Sequence, residues 1–319
     1  MLIPILLFIL GLILLIKGGD WFVDGATGIA HRFNLPELLI GATVVSIGTT
    51  LPEVMVSSAS ALAGHGEIAY GNAIGSIICN VSLIAAITIA IRPSKTNAAE
   101  LRMPVIFFFT AAVIYCVAAY VFGAFSRTIG LILLALFVLY MFLTVRKLTK
   151  PGMAKTETEK PTGSIWKDIL LLIVGAALIA FGADLLVDNG TLIAEGLGVP
   201  ESVIALTFVA LGTSLPEFVT AITALIKGHS ALSLGNIIGA NLFNLVLVSG
   251  LSATLSPFTV PMGKTISGIS ATLVYELPVM LFVMLFLTLP ALFREKLSRW
   301  QGITLLCIYA AFCTVQFVL

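Results

Sequence analysis

Gly48-Thr49-Thr50-Leu51-Pro52-Glu53 and, 164 positions further on, Gly212-Thr213-Ser214-Leu215-Pro216-Glu217 are two versions of one six-residue phrase, GTTLPE and GTSLPE, each well inside an apolar stretch. A glycine and a proline four apart weaken the hydrogen-bond ladder of a helix, because proline has no N–H for the carbonyl one turn earlier. The Thr and Ser hydroxyls add further oxygens at the same height, so an oxygen-lined break in each helix is expected. Irregular backbone at membrane depth is tolerated only where protein or a water-filled cavity surrounds it. Glu53 and Glu217 then lie at the breaks, where an ionised carboxylate costs several kcal/mol unless something neutralises it. Two carboxylates related by symmetry can together neutralise one divalent cation.

Working outward, the same offset superposes Asp20 on Asp184, Asp24 on Asp188, Pro36-Glu37 on Pro200-Glu201, Gly64-His65 on Gly228-His229 and Asn72 on Asn236 without a gap. Of the 61 positions from 20 to 80, 23 are identical in the second copy, more than shared apolar composition gives at one fixed offset. The stretch after each hexad repeats too, as GNAIGSIICN at 71–80 and GNIIGANLFN at 235–244. Gly71, Gly75, Gly235 and Gly239 recur at a spacing of four, which lets helix backbones approach closely. Ser76 and Asn80, also four apart, point the same way on a helix. Their counterparts are Ala240 and Asn244.

Of the 319 residues, 59% are hydrophobic and 10% charged, against roughly a quarter charged in soluble proteins. With a mean hydropathy of +1.12, a water-soluble fold is excluded, and the lipid bilayer is the expected surrounding. Apolar stretches near 2–19, 37–62, 70–91, 103–123, 128–145, 167–187, 202–226, 232–255, 275–293 and 301–318 approach or exceed the about 20 residues a spanning helix needs. The first lacks a basic leader and a small-residue cleavage site, so it is expected to be a retained helix. A polar segment around 146–166 separates a first five-helix repeat, 1–145, from a second, 167–319. Cytoplasmic loops collect Lys and Arg. Placing the central loop in the cytoplasm puts every Lys and Arg except Arg127 and Lys264 inside and the amino terminus outside. Five spans per half is odd, so the halves are inserted upside down relative to one another. The expected fold class is an all-α membrane protein of ten transmembrane helices in two inverted-topology repeats, an architecture of secondary transporters.

Other classes fall away on the same evidence. A net charge of +1 without a basic stripe offers nothing to a nucleic acid. Cys79, Cys116, Cys307 and Cys313 lie inside apolar runs and read as packing residues. An intramembrane hydrolase needs an acid and a base in different environments, whereas these carboxylates have matched surroundings, so no enzyme is expected. A channel filter is usually assembled around a symmetric pore. The candidate ligands are carboxylate, hydroxyl, amide and carbonyl oxygens, the set hard cations prefer. Calcium accepts six to eight such oxygens in flexible geometry, while magnesium sheds water reluctantly, so calcium or sodium suits a dehydrating site. Of His31, His65 and His229, the latter two follow glycines at loop positions and are expected to be solvated. Asp20 with Asp24 and Asp184 with Asp188, each pair four apart, share one helix face, where they either guide cations toward the site or, the favoured reading, cap or hydrogen-bond neighbouring helix ends at the interface; Glu276 reads as interfacial.

The two motif pairs resemble the alpha-1 and alpha-2 repeats of the cation/calcium antiporter (CaCA) superfamily, and the short chain resembles its prokaryotic sodium/calcium exchangers. The likeness covers roughly 36–87 and 200–251 most specifically. It implies an antiporter exchanging Ca2+ for Na+ by alternating access, with the ions as cargo and no cofactor. It implies a diamond of four cation sites, calcium being held by Glu53, Glu217, Thr49 and Thr213. Carried over one position at a time, the sodium sites use Thr50, Ser214, the backbone carbonyls of Ser46 and Ala210, and Ser76, and the middle position involves Asn80 and Asn244. The expected setting is the cytoplasmic membrane of a prokaryote and the expected working unit a monomer. Two positions depart from the archaeal pattern: Ala240 replaces a serine, and Asn244 an aspartate. A Ca2+/H+ or K+-dependent antiporter on the same site is the alternative. In either case an empty site would carry two unneutralised carboxylates through low dielectric, which penalises the unloaded crossing and enforces exchange.

Overall fold

The structure is a computed structural model describing residues 2–33, 35–148, 164–197, 212–263 and 265–318, helical apart from a few two-residue strands. Among the described residues, 8 helices are long and apolar enough to cross a membrane, and they fall on eight of the expected stretches. The expected span at 202–226 is described from 212 as a shorter apolar helix, Leu215–Ile226, and the last stretch forms the helix Arg299–Val318. Most of the central polar segment lies outside the described residues.

Two compact units are present, Met1–Thr49 with Ala154–Asn236 and Thr50–Met153 with Ile237–Leu319, so each draws on both halves of the sequence. In the first, α1 (Leu2–Arg32) packs along α8 (Ile165–Gly196). Glycines make this possible. A Cβ on Gly11 would lie 2.8 Å from the Gly182 carbonyl oxygen, on Gly18 2.9 Å from that of Gly175, and on Gly25 2.5 Å from the Leu172 amide. Positions rising along α1 meet positions falling along α8, so the helices are antiparallel and touch backbone to backbone every seven residues. Shifting by 164 turns Gly11 into Gly175 and Gly18 into Gly182, and the contact Gly11 to Gly182 becomes Gly175 to Gly18. The seam maps onto itself with direction reversed, which is the inverted repeat expressed in packing. Leu15, Phe22, Val23, Ala26 and Ile179 form the apolar core beside it. At the end of the seam Arg32 Nη2 lies 3.0 Å from Asp168 Oδ2.

The second unit is organised by π-helical turns. Helix α4 (Gly66–Cys79) passes through a π turn at Asn80–Ala85 into α5 (Ala86–Ile91), as α10 (Ser230–Phe243) passes through one at Asn244–Val248 into α11 (Ser249–Leu255). Both turns open on the repeat-related asparagine. Helix α7 (Arg127–Leu148) lies on α11, where a Cβ on Gly130 would come 2.7 Å from the Gly250 carbonyl oxygen. Likewise α13 (Arg299–Val318) lies on α5, where a Cβ on Gly302 would come 2.5 Å from the Ala86 carbonyl oxygen. The fifth and tenth spans thus play matching roles. Phe125 packs between Tyr115 and Phe258 with its ring tilted against both, centroids 4.4 and 5.1 Å apart.

The expected helix breaks are only half realised. In the second copy Thr213 and Ser214 form a turn, and α9 (Leu215–Ile226) starts afresh with Pro216 in its first turn. In the first copy α3 (Ser46–Leu62) runs straight through Pro52. The irregularity there sits upstream, in a π turn at Gly41–Val45 that follows the short α2 (Glu37–Ile40). Pro52 still withholds the N–H that the Gly48 carbonyl would receive, but losing one bond need not turn a membrane helix aside. The close backbone approach expected of the small residues holds at Gly235, whose Cβ would meet the Leu38 backbone, whereas Gly71 and Gly75 have nothing within 4 Å among the described residues.

Candidate cation-binding site

In the first unit the oxygens gather on the first turn of α3, on Asn236 of α10 and at the start of α9. Ser46 Oγ donates to the Gly41 carbonyl at 2.7 Å, closing the π turn from within, and lies 2.9 Å from the Asn236 carbonyl. Thr49 Oγ1 lies 3.1 Å from Asn236 Oδ1. Ser214 is the residue before α9, buried, its hydroxyl without a hydrogen-bond partner among the described residues. Glu217 stands in the first turn of α9 at 0% exposure. One turn on, Thr220 is buried, its hydroxyl likewise unengaged.

In the second unit Thr50 and Glu53 are both 0% exposed. Asn72 Nδ2 donates to Ser57 Oγ at 2.8 Å and reaches the Glu53 carbonyl at 3.4 Å, tying α4 to the glutamate's turn. Ser76 is buried one turn before Asn80. Asn80 Nδ2 donates to Asn241 Oδ1 at 3.1 Å, and Asn241 passes its own amide to Met284 Sδ at 3.4 Å. This relay fixes the Asn80 amide so that its Oδ1, buried and without a partner among the described residues, points elsewhere. Asn244 is buried, and neither amide atom has a partner among the described residues. Glu53 and Glu217 are the only charged side chains among the described residues in the fully buried class. Around each, hydroxyl and amide oxygens retain acceptor lone pairs, a donor set suited to a hard cation.

Residues 3–146 and 167–318 match the family profile described as sodium/calcium exchanger protein. The chain belongs to the sodium/calcium exchanger family. Sodium/calcium exchanger MaX1 of Methanosarcina acetivorans is 31% identical to this exchanger over 98% of both chains. Inner membrane protein YrbG of Escherichia coli is 37% identical over 81% of each. Among solved structures, the sodium-calcium exchanger NCX_Mj soaked with 2.5 mM Na+ and 10 mM Sr2+ superposes with a TM-score of 0.81 at 33% identity, covering 97% of both chains. The exchanger is accordingly an all-α integral membrane protein of a transporter family, as its repeats indicated.

Of the expected ligands, the first unit holds Ser46, Thr49, Thr213, Ser214 and Glu217, and the second Thr50, Glu53, Ser76, Asn80 and Asn244. Ala210 lies outside the described residues. Asp20 and Asp24 meet Lys227 at the end of α9, with Nζ 3.5 Å from Asp20 Oδ1 and 2.7 Å from Asp24 Oδ1. His229 is not simply solvated: its Nδ1 lies 2.8 Å from Glu37 Oε1, with His31 Nε2 at 3.3 Å from the same oxygen. His65 is exposed. Sequence reasoning assigned no role to Asn72 and Asn236, although their recurrence at the repeat offset marked them. Asn241 carried no such signal, its counterpart being Ile77.

Proposed function

We propose that the exchanger moves Ca2+ against Na+ by alternating access, with Glu53 and Glu217 jointly balancing one Ca2+ and Thr49 and Thr213 completing its shell. Thr50, Ser214, Ser76 and the backbone carbonyls of Ser46 and Ala210 serve sodium, and Asn80 and Asn244 the middle position. The observation that carries this reading is that, among the described residues, the two fully buried charged ones are glutamates at equivalent points of the repeat, each set among oxygens with lone pairs to spare. Two carboxylates balance one divalent or two monovalent cations. With Asn244 in place of a carboxylate, a third sodium must rely on neutral oxygens alone. We place the amino terminus outside and the central loop in the cytoplasm of a prokaryotic cell, supported by the Lys and Arg asymmetry and by the archaeal and bacterial relatives. A single chain carries both halves of the proposed ligand set, which supports a monomeric working unit.

The test is 45Ca2+ uptake into proteoliposomes loaded with sodium. Uptake is expected to require an outward sodium gradient and to vanish in Glu53→Gln. Uptake indifferent to sodium but driven by a pH gradient would replace sodium by protons as the counter-ion.

A further inference from the structure

A hydroxyl can present its lone pairs to a cation only if its single proton is directed elsewhere. In this chain the ordinary destination for a helical threonine proton is the carbonyl one turn earlier. Thr27 gives its proton to Val23, Thr43 to Leu39, Thr110 to Ile106 and Thr288 to Met284, at 2.7 to 2.8 Å. Thr49 does otherwise. Its hydroxyl, on a residue 2% exposed, addresses Asn236 Oδ1 on a different helix at 3.1 Å.

Asn236 is suited to hold that proton. It is 0% exposed, and its amide oxygen accepts without adding charge to the site. Its backbone is fixed against the same turn from two directions: its carbonyl lies 2.9 Å from Ser46 Oγ, and a Cβ on Gly41 would fall 2.8 Å from its amide nitrogen. That approach leaves room for glycine alone at 41. The first-repeat counterpart, Asn72, holds the Glu53 turn by its own amide.

We infer that Asn236 is a positioning residue for calcium: by accepting the Thr49 proton it turns the Thr49 oxygen's lone pairs toward the ion. The inference rests on the reading above that Thr49 and the two glutamates hold Ca2+. Removing the acceptor returns the Thr49 proton to the Val45 carbonyl and swings its lone pairs away. A neutral hydrogen bond of this kind sets the scale of the effect at about 3- to 10-fold in calcium affinity.

The test is a double-mutant cycle on purified protein, with 45Ca2+ affinity and sodium competition as readouts. Asn236→Leu keeps the volume and loses the acceptor. It should weaken calcium about 3- to 10-fold in the wild-type background, not at all in Thr49→Ala, and leave the sodium concentration for half-competition, corrected for calcium affinity, nearly unchanged. Equal losses in both backgrounds would mean that Asn236 acts only through packing, and no loss in either would also overturn the inference. If Asn236→Leu does not fold, Asn236→Ser, too short to reach Thr49, takes its place in the same cycle. Glu217→Gln separates the two readings. Wild-type calcium affinity in that variant would remove the site itself, whereas its loss together with an additive cycle would remove only the role of Asn236.

Discussion

Glu217→Gln offers the sharpest view of the site because it acts on function and stability with opposite signs. Glu217 is 0% exposed in the first turn of α9, flanked by the buried hydroxyls of Ser214 and Thr220. Gln has the same shape, and its amide can hydrogen-bond with these hydroxyls. The variant halves the negative charge facing a divalent ion, and breaking a buried ionic pairing by removing one member costs about 3–5 kcal/mol, on the order of 10²- to 10³-fold in calcium affinity. Without calcium the sign reverses. An ionised carboxylate carries a desolvation penalty of several kcal/mol that an amide largely avoids, so ion-free Glu217→Gln should melt no lower than ion-free wild type. Ligand at 100 times Kd stabilises the native state by about 2.7 kcal/mol, which for a chain of this size raises the melting temperature by roughly 5 °C. At the same concentration the variant has ligand at or below its Kd and gains about 0.4 kcal/mol or less, a shift of roughly 1 °C. Thermal scans in detergent with and without calcium, beside uptake in proteoliposomes, read both effects. A calcium-induced shift equal to that of wild type, or normal uptake, would refute the reasoning.

Further outcomes follow from packing and topology. Gly18→Leu places a Cβ 2.9 Å from the Gly175 carbonyl oxygen and should destabilise the protein by about 1–3 kcal/mol, whereas Gly75→Ala, whose Cβ meets nothing within 4 Å among the described residues, should be neutral or gain up to about 1 kcal/mol of helix propensity; melting temperatures compare them. Ala240→Ser should tighten sodium's competition with calcium and Ser76→Ala should loosen it, read from the sodium concentration that halves uptake. Cysteine at position 155 should react with an impermeant maleimide only from the cytoplasmic side and cysteine at 127 only from outside, and the reverse pattern would overturn the charge-bias argument.

Much of the fold was legible because two kinds of signal are local. Apolar length marks spanning helices, and identity at one offset marks duplication, so the spans, the inverted repeat and Glu53 with Glu217 could be read directly. What escaped depends on the partner strand of chain. Pro52 and Pro216 look alike in sequence, yet α3 continues through one and α9 begins at the other. Gly71 and Gly235 likewise look equivalent, but among the described residues only Gly235 has a backbone against it, the position related by repeat to Leu38 lying outside them. His229 and Glu37 are distant in sequence, and nothing local announces their contact. Glycines seven apart on α1 and α8 were visible as residues; their meaning as a seam requires knowing which helix lies opposite.

The places where the copies disagree bear on whether the two sides of the membrane meet the ions with equal affinity. Two identical inverted halves would make the inward- and outward-facing forms images of one another, equal in energy and in ion affinity. Difference between the two sides must therefore come from positions such as Ser46 and Ala210, Ser57 and Ala221, and Ser76 and Ala240, where the first copy has a hydroxyl and the second a methyl group. The structure sorts these. Ser46 spends its proton within the π turn on the Gly41 carbonyl, and Ser57 accepts the amide of Asn72, so both hydroxyls are engaged in holding helices. Ser76 is the member of the three whose hydroxyl falls to an ion in the proposed site. One oxygen more in one half than in the other is worth a fraction of a coordination shell, which suffices to weight the two orientations because a factor of ten in affinity needs only about 1.4 kcal/mol. Restoring the hydroxyl at 240 should therefore do more than strengthen sodium binding: it should bring the sodium affinities measured from the two sides of the membrane closer together.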